Sequence, residues 1–120
     1  MAKYTDVYVL PVPKANLDAY RKMAETVGAV WKEYGALDYL EIVEEDVKSG
    51  VQTSFPQAVK LEEGEVVVVG VVTFASREER DRINAAVMKD PRCSGGMDMS
   101  NMPFDPKRMF WGGFKPLVTL

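Results

Sequence analysis

Histidine is missing from the 120-residue sequence altogether. That lack rules out a Ser–His or Cys–His nucleophile pair, a histidine-ligated haem and an imidazole zinc site. Proton transfer is left to carboxylates, Lys, Tyr, Cys or water. Cysteine occurs once, at Cys93, so no intramolecular disulfide can form and a reducing compartment is the expectation. Long apolar runs are also absent: Val66 to Val72 falls far short of the roughly 20 residues that cross a bilayer. Met1-Ala2-Lys3 leads straight into strand-like sequence with no signal peptide, and the expected location is the cytoplasm, with no membrane partner. There is no basic surplus either. A formal charge of −3 and the lack of a basic stripe argue against nucleic acid as a partner. No G-x-G-x-x-G phosphate fingerprint is present, so the chain is expected to work without haem, flavin, zinc or another tightly bound cofactor.

What remains is a chain of single-domain size, read as one domain over residues 1–120, with 47% apolar residues to build a core. Tyr4 to Val12 is rich in aromatic and β-branched residues and reads as a strand that Pro11 and Pro13 would end. Asn16 stands as an N-cap before Leu17, Tyr20, Ala24, Val27, Trp31 and Tyr34, a series at helical spacing closed by Gly35. Asp18 with Lys22 and Arg21 with Glu25 give that helix a solvated outer face. Leu37 to Glu45 reads as a second strand whose alternation Glu41 breaks. A long connection, 46–64, has room for a short helical turn around Phe55 to Val59. Glu65 to Phe74 is a valine-rich third strand expected to be buried on both faces. Ser76 and Glu79 form a capping box for a second helix with Ile83 and Val87 inside, stopped at Asp90-Pro91. An irregular stretch then leads to a last strand, Arg108 to Phe114, bent at Gly112-Gly113.

The order strand, helix, strand, strand, helix, strand is the βαββαβ pattern of the ferredoxin-like α+β fold, with both helices on one face of a four-stranded antiparallel sheet. Its other face is left bare. A strand apolar on both sides then calls for a second copy of the chain as cover, which predicts a face-to-face homodimer. The rival use of such a face is to stack RNA bases on aromatics within a basic strand signature; the aliphatic third strand and acidic charge make this the weaker alternative.

Two segments, ValProLysAlaAsn at 12–16 and MetProPheAspProLysArgMetPheTrpGlyGlyPhe at 102–114, together with GluTyrGlyAlaLeu at 33–37 and AspProArg at 90–92, carry a resemblance to the YbaA-like bacterial family of unknown function, DUF1428. The resemblance runs in order along nearly the whole chain. It implies a relationship to the dimeric α/β-barrel superfamily, in which two ferredoxin-like sheets form a shared barrel. Relatives there range from cofactor-free monooxygenases and haem enzymes to simple binding or stress-response proteins, so function stays open between a small-molecule-binding protein or cofactor-independent enzyme and a non-catalytic homodimer.

The candidate site residues follow from chemistry. Glu41, a carboxylate in mid-strand, is either solvated at an edge, ion-paired with Lys14 or Arg108, or desolvated and poised as a general base. Arg108, beside Asp105 and Lys107, offers a guanidinium fork for a carboxylate or enolate, unless the three simply close a turn. Phe104 and Trp111 would line an apolar pocket or serve as core. Lys14 completes the set of ligand contacts. Adjacent strands are about 4.8 Å apart and the second and fourth strands lie at opposite edges, so Glu41 and Arg108 would face one pocket only across about 14 Å. Cys93, Met97, Met99 and Met102 gather sulfur in one loop, and whether they bind a soft metal or merely pack is left open, with no metal site assigned.

Overall fold

A computed structural model describes residues 3–94 and 102–120. Strand β1 spans Tyr4–Pro13, helix α1 Leu17–Tyr34, β2 Asp38–Val43, the short α2 Phe55–Ala58, β3 Glu65–Phe74, α3 Arg77–Lys89, the one-turn α4 Pro91–Ser94, and β4 Phe110–Phe114. The sheet runs in the order β2-β3-β1-β4, antiparallel throughout. This is the ferredoxin-like βαββαβ arrangement, with β1 and β3 central and β2 and β4 at the edges.

β1 ends at Pro13, as the two prolines led us to expect, and both prolines still sit within its ladder, opposite Val67 and Glu65. The reason is the direction of the missing N–H groups. Lys14 donates its N–H to the Gly64 carbonyl, so by alternation the even residues of β1 bond towards β3 and the odd ones point the other way. β4 pairs only as far as Val9, and the two prolines therefore lie where β1 has become an edge and needs no donor. The last strand starts later than the sequence suggests. Asp105 accepts a hydrogen bond from the Lys107 N–H, and Pro106 opens a 3-10 turn that takes in Arg108, so Arg108 precedes β4.

The helix caps divide similarly. Ser76 accepts from the Glu79 N–H at 3.2 Å, one half of a capping box, while the Glu79 carboxylate holds the Arg82 guanidinium. Asn16 stands at the α1 N-cap but its side chain does not cap; it donates instead to the Pro103 carbonyl, tying α1 to the segment before β4. Gly35 closes α1 at φ 121°, a backbone conformation that favours glycine.

The even residues of β1 and β3 face the helices. Val72 and Phe74 pack there with Val30, Ile83 and Val87, and Leu10, Val12 and Val68 with Tyr20, Ala24 and Phe104. On the opposite face the connection 46–64 supplies a partial cover that the sequence pattern did not reveal: Val59 and Leu61 pack on Val9 and Val67. The cover is incomplete. Leu40, Ile42, Phe110 and Phe114, which lie on that same face by register, are about half exposed.

Candidate functional site

Helix α1 and strand β2 diverge to form an open groove of about 830 Å³, lined by Tyr20, Gly28, Tyr39, Glu41, Val43 and Lys14 among others. Glu41 lies on its floor. Tyr39 and Glu41 are two apart on β2 and therefore share the helix-facing side of the sheet, opposite Val72 and Gly70. Tyr20 reaches the same point from α1. The Tyr20 hydroxyl donates to Glu41 Oε1 at 2.8 Å, and the Tyr39 hydroxyl donates to Oε2 at 2.5 Å.

Two glycines make this approach possible. A Cβ on Gly28 would stand 2.5 Å from the Tyr39 ring, and one on Gly70 would stand 3.1 Å from the Glu41 carboxylate. The ring thus lies against bare helix backbone, and the carboxylate against bare strand backbone. Trp31 stacks on Tyr39 with centroids 5.7 Å apart, and Phe104 meets Tyr20 edge-on at 5.7 Å, which fixes both rings. Burial first, and then the Glu41 charge and hydrogen bond, push both phenols far above their usual range. They stay protonated donors. Each Glu41 oxygen keeps a further lone pair for a ligand N–H or O–H.

The sequence candidates separate into two places. Glu41 and Lys14 line the groove; Arg108, Asp105, Lys107, Phe104 and Trp111 do not. Arg108 binds Glu65 through both forks, Nη1 to Oε1 at 2.6 Å and Nη2 to Oε2 at 2.7 Å. It also donates to Asp105 at 3.0 Å and to the Lys60 carbonyl at 3.1 Å. With Nη1, Nη2 and Nε all engaged, the guanidinium staples the turn before β4 to the start of β3. The Glu41–Arg108 pairing is therefore not formed, and neither Lys14 nor Arg108 makes an ion pair with Glu41 among the described residues. Phe104 is core. Trp111, half exposed, stacks on Tyr8 at 5.4 Å. Of the sulfur-bearing loop, Met97 and Met99 lie outside the described residues, while Cys93 is buried in the core. Among the described residues no group of three or more acidic or cysteine side chains could hold a metal ion.

A second polar centre went unread in the sequence. Asp6, fully buried on the helix face of β1, stands 3.3 Å from Arg80 Nη1. Its other oxygen accepts from Asn84 at 3.1 Å, and Asn84 accepts the Trp31 indole N–H at 2.9 Å. Burial pushes the Asp6 carboxyl above its usual range, against the lowering pull of Asn84 and Arg80. The available signal was Asp6 itself, a charge between strand residues; the alternation of β1 gives it the same face as Leu10 and Val12.

No helix among the described residues is long and apolar enough to cross a membrane. In shape, the chain resembles a NIPSNAP family protein of unknown function from Agrobacterium tumefaciens, with TM-score 0.59 at 15% identity over 95% of this chain and 87% of that one. It also resembles a protein from an uncultured marine organism described as dimeric and ferredoxin-like, with TM-score 0.52 at 8% identity over 100% of this chain and 98% of the other. Those likenesses establish the fold. In sequence it is 43% identical to the uncharacterised protein YbaA of Escherichia coli over 116 residues, 97% of each chain. Residues 3–106 match the model of the family described as protein of unknown function DUF1428, and the chain belongs to that family.

Proposed function

We propose that the protein is a homodimer that binds a small molecule in the groove between α1 and β2, with Glu41 as its hydrogen-bond acceptor or general base. The observation that carries this reading is the carboxylate held by two tyrosine hydroxyls on the floor of an open groove. Such a carboxylate is oriented in advance and cannot be neutralised by its neighbours, which only donate. Lys14, exposed at the groove, has no ion pair among the described residues and suits an anionic group. The ligand that fits is a compact, largely apolar metabolite with one N–H or O–H head and a negative charge. No cofactor is required for proton abstraction by such a base.

The homodimer is supported by the half-exposed Leu40, Ile42, Phe110 and Phe114 on the open face, and by the dimeric description of one structural neighbour. That same face favours the second reading, a non-catalytic homodimer in which the groove is only surface. A thermal-shift screen with a metabolite library decides between them, since a ligand selective for the folded state raises the melting temperature. We expect compounds that stabilise the parent protein and not Glu41→Gln. If no compound stabilises the parent, or if the variant responds equally, the ligand site is not here.

A further inference from the structure

Four aromatic side chains lie in unbroken contact across the helix face of the sheet. Trp111 of β4 stands opposite Tyr8 of β1, Tyr8 opposite Gly70 of β3, and Gly70 opposite Glu41 of β2. These positions form one row on one face. Trp111 and Tyr8 stack with centroids 5.4 Å apart. Gly70 supplies no ring, and the next step is made by Trp31 of α1, 6.4 Å from Tyr8 and 5.7 Å from Tyr39. All three separations lie within the contact range of aromatic pairs. The series starts at the surface, where Trp111 is about half exposed, and ends at the Tyr39 hydroxyl on the groove floor.

The four rings differ in where they can send a proton. Removing an electron from a phenol makes its O–H strongly acidic, so a phenol is readily oxidised only where a base stands ready. The Tyr39 hydroxyl has one, Glu41 Oε2 at 2.5 Å. The Tyr8 hydroxyl forms no hydrogen bond among the described residues. The Trp31 N–H meets the neutral amide oxygen of Asn84 at 2.9 Å, which accepts a hydrogen bond but not a proton. An indole can give up an electron and keep its proton, so Trp111 and Trp31 serve as stations, Tyr8 as a bridge and Tyr39 as the terminus. Charge favours the same direction. Glu41 is answered only by neutral hydroxyls, whereas the Arg80 guanidinium stands 5.9 Å from the Trp111 ring and disfavours a further positive charge there, even with Asp6 and Asp81 beside it.

We propose that the protein carries one-electron oxidation through its own side chains, from Tyr39 by way of Trp31 and Tyr8 to Trp111 and on to a one-electron oxidant at the surface. Trp111 gives one electron to the oxidant, which is reduced by one unit. Trp111 recovers an electron from Tyr39, whose phenolic proton moves to Glu41 Oε2. A neutral phenoxyl radical is left beside a neutral carboxylic acid. The net change is one electron lost from the protein and one proton moved within it, and the oxidising equivalent is drawn off the surface and held at the groove. This activity goes beyond the binding proposed above and needs neither a bound ligand nor a second copy of the chain, so a ligand screen without hits leaves it standing.

The test is flash photolysis of the full chain with tris(bipyridine)ruthenium(III) generated in solution as the oxidant, following the broad tryptophanyl absorption and the sharp phenoxyl one. In the parent we expect the tryptophanyl signal to appear first and to decay as the phenoxyl signal grows. Tyr39→Phe should lose that growth. Glu41→Gln should lose it too while keeping the tryptophanyl signal, because an amide does not take the proton. Trp111→Phe, half exposed and still able to stack on Tyr8, should lose most of both signals; Trp31→Phe should keep the early signal and lose the growth, and if it fails to fold the other three variants decide. Growth that survives in Tyr39→Phe places the oxidation on another tyrosine, and growth that survives in Trp111→Phe places its entry elsewhere. Equal growth in Glu41→Gln removes the proton transfer. Any of these, or a parent whose tryptophanyl signal decays with no phenoxyl growth, overturns the route.

Discussion

Asp6 and Glu41 are carboxylates on the same face of one sheet, on a central strand and an edge strand, yet their surroundings differ in kind. Asp6 is sealed beneath α3, fully buried, with its charge answered by Arg80 and Asn84. Glu41 is half-buried at a groove and answered only by neutral hydroxyls. The first arrangement joins a helix to the sheet from within and has no route to a ligand. The second leaves a full negative charge beside open space. A central strand has a neighbour on both sides and a helix above, so a charge there must be matched by protein; at an edge the helix can stand off and leave room.

The largest expected effect is at the buried member of the pair. Asp6→Ala removes the buried partner of the Arg80 guanidinium, 11% exposed, and leaves it only the half-exposed Asp81 carboxylate at 3.0 Å; breaking a buried pair costs about 3–5 kcal/mol, and the remaining partner puts this loss at the lower end, about 3 kcal/mol. Urea denaturation should show the loss as a lower midpoint with an unchanged slope. Glu41→Gln, which keeps the shape and one acceptor oxygen, should stay within about 1 kcal/mol of the parent. If the two variants are equally destabilised, Glu41 is structural too and the contrast fails.

A smaller effect is expected where the groove meets the helix. Gly28→Ala gains up to about 1 kcal/mol of helix propensity, but its methyl would stand 2.5 Å from the Tyr39 ring, and overpacking of this kind costs about 1–3 kcal/mol. We expect a net loss of about 1 kcal/mol, together with a change in the fluorescence of Trp31, whose stacking on Tyr39 the methyl disturbs. Stabilisation with an unchanged spectrum would mean that the ring has room to retreat, and that the tyrosine clamp on Glu41 is looser than the geometry suggests.

The sequence made the architecture legible because periodicity, capping and punctuation agreed along most of the chain. Ser76 with Glu79, the helical series from Leu17 to Tyr34 and the valines of β3 each point to one element, and their order admits one common fold. The prolines of β1 marked the end of the strand correctly; why the ladder to β3 tolerates both of them depends on how far β4 extends, which is not a local property. Glu41 stood out as a break in alternation. Its two tyrosine partners did not: Tyr20 fits the apolar stripe of α1, and nothing in one dimension says that its hydroxyl reaches β2. Arg108 drew attention through its neighbours Asp105 and Lys107, whereas its strongest partner, Glu65, lies more than forty positions away. Charge clusters along the sequence show where ions are concentrated; whether they remain free for a ligand is decided by residues that folding brings in.

The weakest effect lies in pH dependence, where Asp6 opposes the other perturbed carboxylates. Burial raises the Asp6 carboxyl above 3.8, so its folded form holds a proton more tightly than the unfolded chain does. Its contribution to stability is therefore fully present below about 3.8 and is lost as pH rises through the raised folded value. Asp90 and Asp105, with ordinary values of 3.8, and Glu65, with 4.5, are lowered by hydrogen bonds from Arg92, Arg108 and Arg108 respectively. They stabilise above those values, and that stability is lost as pH falls through the lowered ones. From neutrality down to about 4, Asp6 alone of these four adds stability; below that the other three remove it. The parent should accordingly be most stable on the mildly acidic side of neutrality. Asp6→Asn, isosteric and without a titrating group, should flatten the rise between pH 7 and about 4 and leave the acid limb unchanged. Denaturation midpoints for both proteins across that range measure the difference directly. If the two curves stay parallel, Arg80 and Asn84 fully offset the burial of the Asp6 charge.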